Sequence, residues 1–199
     1  MILVELSVIP IFDLPINQFK DHLRLGTGFS DDGWQDTVLE QSLRAAIAAI
    51  EARTGKVLFN RAFRWTIGAW RSSDRQALPV APVTEITGIN LVDRNGVASA
   101  TDPETWYLEQ DSQRPLLRAS RACLPTIPEA GSAEVSFLAG FSADWASMPG
   151  DLAQAVLLLA AHYYEVRGEQ PLNDGNMPFG VSTLIERYRT VRILGGGAS

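Results

Sequence analysis

Apolar residues recur along this chain at two spacings, and the points where the spacing changes divide it into helical and extended stretches. The first helical pattern, Pro15 to Leu25, turns Ile16, Phe19 and Leu23 inward and leaves Lys20, Asp21 and Arg24 in water. His22 reads as a surface or half-buried residue. Gly26 and Gly28 are expected to stop this helix. Ser30, Asp31 and Asp32 offer N-caps for the next one, with Gln35 in the capping-box position. That second helix, about 33 to 54, puts Leu39, Leu43, Ala46, Ile47 and Ile50 on one stripe. Glu40 and Arg44 form an i,i+4 pair outside, and Gly55 supplies the C-cap. Ala45, Ala48, Ala49 and Ala52 keep the flanks thin enough for another backbone to come close.

From Lys56 to Ala139 the period falls to two. Phe63, Trp65, Ile67 and Ala69 alternate with Arg64, Thr66 and Gly68, and Ala133, Val135, Phe137 and Ala139 alternate with Glu134, Ser136 and Leu138. Between them lie a strand at Val83 to Val92, a DRNG turn at Asp93 to Gly96, and further strands at Trp106 to Glu109 and Pro115 to Arg118. The prolines of LPVAPV predict an extended strand at an edge. These signals describe one small antiparallel sheet inserted between helices.

The third helical pattern is the most apolar. Pro149 and Asp151 suit its first turn, Arg167 its last, and Gly168 its left-handed end, giving a helix of roughly 26 Å at 1.5 Å per residue. Leu152, Ala155, Val156, Leu159, Tyr163 and Val166 share one face, yet Leu157, Leu158, Ala160, Ala161 and Tyr164 make the other faces apolar too. Such a helix needs cover nearly all round, from its own domain or from identical neighbours. Leu157, Leu158, Ala161 and Tyr164, with the alanines of the second helix, are the candidate subunit-packing residues. After the loop GEQPLNDGNMPFG, Val181 to Tyr188 predicts a short helix with Val181, Leu184, Ile185 and Tyr188 on one side. The fold class expected is α+β: an antiparallel helical bundle with an inserted small antiparallel β subdomain and an extended C-terminal arm. The divisions are 1–58 (arm and bundle helices), 59–142 (β subdomain), 143–180 (central helix and loop) and 181–199 (final helix and tail).

Composition and charge narrow the function. A chain of 199 residues, 46% hydrophobic and 20% charged, can bury a real core. Its net charge of -6 gives the body no attraction for phosphate backbones or anionic lipid. The tail reverses this locally: Arg187, Arg189 and Arg192 stand against Glu186 alone. A basic, partly apolar arm on an acidic body suits docking. Cys123 is the single cysteine, which excludes an internal disulfide and a thiolate cluster, and beside Leu124 and Pro125 it is expected to be packed. The unbroken apolar run Ala155 to Ala161 is far short of the roughly 20 residues of a membrane span. The start, MILVELSVIPIFDLP, lacks a basic n-region and reads as an extended arm of a cytoplasmic protein.

No constellation carries chemistry. His22 and His162 have neither an i,i+4 histidine partner nor an HExxH setting, and no serine lies in a GxSxG elbow. The GTG at 26–28 follows a helix, and the glycines at 195–197 sit at an end, so neither cradles a phosphate. Asp31, Asp32 and Asp36 open a helix, where capping and the helix dipole account for them. No cofactor is expected. Trp65, Trp70 and Trp106, at strand positions, serve as sheet core or, on a rival reading, as a platform for a sugar or peptide. A second rival is a small hydrolase using His162 with Glu165 or Asp144.

The succession PINQFKDHLRL, SDDGWQDTVLEQSLRAAIAAIEARTGKVL, FRWTIGAW, LPVAPVTEITGINLVDRNG, AGFSADWASMPGDLAQAVLLLAAHYYEVRG and PFGVSTLIERYR resembles the head-tail connector (adaptor, or head-completion) proteins of tailed bacteriophages and gene transfer agents. The likeness spans nearly the whole chain and lies in the order and spacing of the pieces. It implies a structural protein, not an enzyme, that forms a twelve-fold ring beneath the portal in the neck of a particle assembled in the bacterial cytoplasm. It also implies a platform for the stopper or tail-completion protein and passage of double-stranded DNA without specific binding. The family's C-terminal segment reaches toward the portal. On this chain the role would fall on Ile185, Arg187, Tyr188, Arg189, Val191, Arg192, Ile193 and Leu194.

Overall fold

The computed structural model describes residues 1–25, 34–166 and 177–189. Within them are four α-helices and two antiparallel sheets, an α+β fold with two cores. The capping residues proposed at 30–32, the stops at Gly26 and Gly28, Arg167 and Gly168, and the tail beyond Arg189 lie outside the described residues.

The helical side follows the apolar stripes closely. In α2 (Trp34–Thr54) the buried apolar positions are Leu39, Leu43, Ala46, Ile47 and Ile50, and Gly55 ends the helix with a positive φ of 69°. Arg44 Nε donates to Glu40 Oε1 at 2.7 Å on the outer face. The first helix, α1 (Ile16–His22), is shorter than its pattern. Arg24 takes the left-handed conformation (φ 55°) while Leu23 and Leu25 still lean on the core, so the chain turns before its glycines. In α3 (Gly150–Val166) Leu152, Ala155, Val156, Leu159 and Ala160 are buried. Tyr163, expected on that face, is exposed. The helix packs on α2 and on α4 (Phe179–Ile185), and Tyr164 in its last turn meets the Phe19 ring edge-on. Ile9, Leu14, Phe19, Val181, Ile185 and Tyr188 close this core from the two ends of the described chain.

The extended region forms two sheets where one was expected. The larger has the order β1 (Ile2–Glu5), β2 (Arg61–Ile67), β8 (Ser132–Ala139), β4 (Val83–Val92) and β5 (Ala98–Ala100). The smaller has the order β3 (Arg75–Ala77), β7 (Leu116–Ala119) and β6 (Trp106–Glu109). β1 comes from the apolar start of the chain, whose unbroken run of large residues carries no period-two signal, and pairs with β2 from Ile2↔Thr66 to Glu5↔Phe63. In LPVAPV the strand begins only at Val83; Pro79 and Pro82, which have no N–H to give a ladder, remain in the connection. Asp93 Oδ1 accepts from the N–H groups of Asn95 and Val97, each at 2.8 Å, and so builds the DRNG turn between β4 and β5. Trp65 and Phe63 face the core with Phe137, whose ring stacks on Phe63 at 5.7 Å. Trp70 lies past the end of β2, not in it, and its Nε1 donates to the Pro125 carbonyl. Cys123 is exposed, a correction to its expected burial; Leu124 beside it takes the buried place.

The two cores meet at a tight joint. Gly140 (φ 152°) leaves β8 with its Cα against the backbone of Phe59 and Asn60, where a Cβ would come within 2.4 Å of Asn60 Cα. Beside it, Arg61 Nη2 bonds both carboxylate oxygens of Glu51 from α2, at 2.5 and 2.6 Å, while Nη1 reaches Glu5 of β1 at 2.8 Å. Burial pushes the Glu51 carboxyl up, and Arg61 and the Leu58 N–H pull against that shift. One guanidinium thus ties helix, sheet and N-terminal strand together.

Candidate assembly interfaces

The base of the tail is built into the helical core. Ile185 is buried in α4, and the turn that follows, Glu186–Tyr188, buries the Tyr188 ring edge-on to Phe141 at 5.4 Å. The Tyr188 hydroxyl donates to Asp151 Oδ1 at 2.8 Å and accepts from Arg187 Nη2 at 2.6 Å, and Arg187 Nε lies 2.9 Å from Asp151 Oδ2. Arg187 also sits over the Tyr188 ring, 4.7 Å from its centre. Burial raises the Tyr188 phenol above its ordinary pKa, and the bond to Asp151 pushes the same way while Arg187 opposes it. Arg189 pairs with Glu186 at 3.0 Å. Four residues assigned to docking by resemblance, Ile185, Arg187, Tyr188 and Arg189, therefore have partners inside the chain. Val191, Arg192, Ile193 and Leu194 lie outside the described residues. Asp151, at the start of α3, was read from the sequence only as a first-turn acid; 37 residues separate it from Tyr188, so no local pattern could pair them.

The candidate packing residues divide into two sets. Leu157, Leu158, Ala161 and Tyr164 touch the helical core on one side and are open on the other. On α2, Ala45, Ala48 and Ala52 are exposed and Ala49 is half-buried, a thin stripe with Gln41 on the same outer face. At the start of the chain β1 forms an edge of the larger sheet, and all four of its residues are exposed.

The rival chemistries find little support in this geometry. Trp65 is inside the sheet core, Trp106 Nε1 donates to Thr101 Oγ1, and Trp70 is half-buried, so the three rings present no common open face. His162 is exposed with its ring 6.2 Å from that of Tyr163, and Glu165 is exposed as well. Asp144 accepts from the N–H and hydroxyl of Ser147, which hold its carboxyl below the usual range, and so it shapes the turn before α3. Among the described residues there is no group of three His, Cys, Asp or Glu side chains placed to hold a metal, and no helix is long and apolar enough to cross a membrane.

No family model matches the chain, and no curated protein matches it. Solved structures do. A chain in the neck of an empty gene transfer agent particle (C6 symmetry) is 52% identical, with 98% of this chain and 99% of that one covered and a TM-score of 0.90. A chain in the virion of a native gene transfer agent particle is 52% identical over the same shares, with a TM-score of 0.86. A chain in the neck of a native particle (C12 symmetry) is 48% identical, again covering 98% and 99%, with a TM-score of 0.85. Identity of this order over both whole chains, to components of a gene transfer agent particle, argues for a structural role and against an enzyme. The chain belongs to the head-tail connector family of tailed bacteriophages and gene transfer agents, as a structural protein of the particle neck.

Proposed function

We propose that this protein is the adaptor ring of the neck: twelve copies beneath the portal that extend the DNA channel and give the stopper or tail its platform. The observation that carries the reading is the near-complete match, at 48–52% identity, to chains in gene transfer agent necks of C6 and C12 symmetry. The physical character of the chain supports it. A net charge of -6 suits a channel through which DNA must slide, because repelled phosphates form no counterion-releasing contacts. The half-buried Leu157, Leu158, Ala161 and Tyr164, with the thin Ala45, Ala48, Ala49 and Ala52 flank, suit packing between identical neighbours.

The tail divides its work on this reading. Ile185, Arg187, Tyr188 and Arg189 form an anchored base, and Val191, Arg192, Ile193 and Leu194 are the segment that docks on the portal. Without the portal as template, the interface area of a subunit this small need not outweigh the association cost.

Copy number decides the matter. Mass measurement on purified particles is expected to give twelve copies each, and one or two would overturn the ring. Truncation after Arg189 is expected to leave a folded monomer that fails to join head to tail. Normal assembly and DNA delivery by particles lacking residues 190–199 would remove the docking role.

A further inference from the structure

Of the twelve exposed large apolar side chains among the described residues, eight lie within the first twelve positions: Met1, Ile2, Leu3, Val4, Leu6, Val8, Ile11 and Phe12. Three of them, Ile2, Leu3 and Val4, sit on β1, which pairs with β2 on one side and ends the sheet on the other. Soluble proteins blunt such an edge with charge, proline or a bulge. This strand has no proline, an unbroken register, and a single charge, Glu5, turned back onto Arg61. An apolar edge with unpaired backbone groups is a template for another strand.

The opposite edge of the same sheet has the complementary character. β5 consists of Ala98, Ser99 and Ala100, all exposed and all small, and Val97 beside it is 63% exposed. Among the described residues it pairs only with the end of β4, from Asn90↔Ala100 to Val92↔Ala98. Large side chains on one edge can lie over small ones on the other without crowding.

We propose that β1 of one copy adds to the β5 edge of the next, so that the larger sheet runs on from subunit to subunit. This rests on the neck-ring reading, and the symmetry of the relatives' necks selects the partner. About a single rotation axis every contact between copies joins two different patches. Pairing of β1 with β1 is isologous and closes at two, whereas β1 on β5 repeats in one direction and closes into a ring.

The test uses particles carrying C123S, which removes the exposed thiol, together with Val4→Cys and Ser99→Cys. Mild oxidation is expected to give a non-reducing ladder that extends beyond the dimer, with neither cysteine sufficient alone. Leu3→Cys combined with Ala98→Cys or Ala100→Cys covers the neighbouring registers. Failure of every pair to cross-link in particles that still hold many copies overturns this contact and leaves the ring standing. One or two copies per particle would instead sink the ring itself. A dimer from Val4→Cys alone means two-fold β1 pairing, and a disulfide to a cysteine of another neck protein means a different cover; each overturns the proposal. Val4→Lys, a change at an exposed site, is expected to melt within a degree or two of the parent and yet to enter particles at least tenfold less well. Equal incorporation would also overturn it.

Discussion

The two cores of this molecule are closed in opposite ways. The sheet core is assembled almost wholly from residues 57–139, held by ladders between neighbouring strands, and it leaves open edges. The helical core gathers Ile9 and Phe19 from the start of the chain and Ile185 and Tyr188 from the end, and it leaves half-buried leucines. A sheet satisfies its backbone only where a strand lies alongside, so its incompleteness sits at β1 and β5. A helix satisfies its own backbone, so its incompleteness is one of apolar area at Leu157 and Leu158. On the proposed ring reading the two kinds of open surface would do different work: strand addition would fix register, and apolar packing would supply area.

The largest effect is expected within the sheet. Phe137→Ala removes a fully buried ring stacked on Phe63 and should cost about 4 kcal/mol. Denaturation followed by tryptophan emission and by helical circular dichroism should give one shifted transition; two separated transitions would show that the cores fold independently. The joint comes next. Arg61→Ala strands the Glu51 carboxylate in a largely buried site and frees Glu5 from its partner, and should cost about 3 kcal/mol. Hydrogen exchange should then quicken in β1 more than in β4, and equal change in both strands would mean that Arg61 does not hold the N-terminal strand.

The smallest effect concerns the tail base. Tyr188→Phe should cost about 1 kcal/mol, since Arg187 still reaches Asp151 without the hydroxyl. The phenol's pKa is raised in the folded chain, so its contribution is complete below the ordinary tyrosine value of about 10 and falls away as the pH rises through the higher folded value. Stability measured from neutral to alkaline pH should therefore decline less steeply in the Phe variant. Parallel curves would show that Tyr188 is not anchored through its hydroxyl.

Much of the scaffold was legible in residue order. Leu39, Leu43, Ala46, Ile47 and Ile50 read as one stripe and are one stripe; Gly55 caps α2, and Asp93 makes the turn before β5. These are local facts, each decided within four or five residues. Arg61 carried a weak signal, a charge at the inward parity of Phe63 and Trp65, but nothing nearby named Glu51 and Glu5 as its partners. The strand β1 was hidden because all four of its residues are exposed, so that neither face demands alternation.

Residue order by itself settled where the helices and the longer strands β2, β4 and β8 form and which face of α2 is buried, because periodicity, capping and turn chemistry act over a few positions of chain. Only the tertiary structure decided that the first residues complete a sheet begun sixty positions later, that the base of the tail is clamped by Asp151, and that one guanidinium joins the two cores. Those contacts depend on how separate elements come to rest against one another, and no local pattern encodes that meeting.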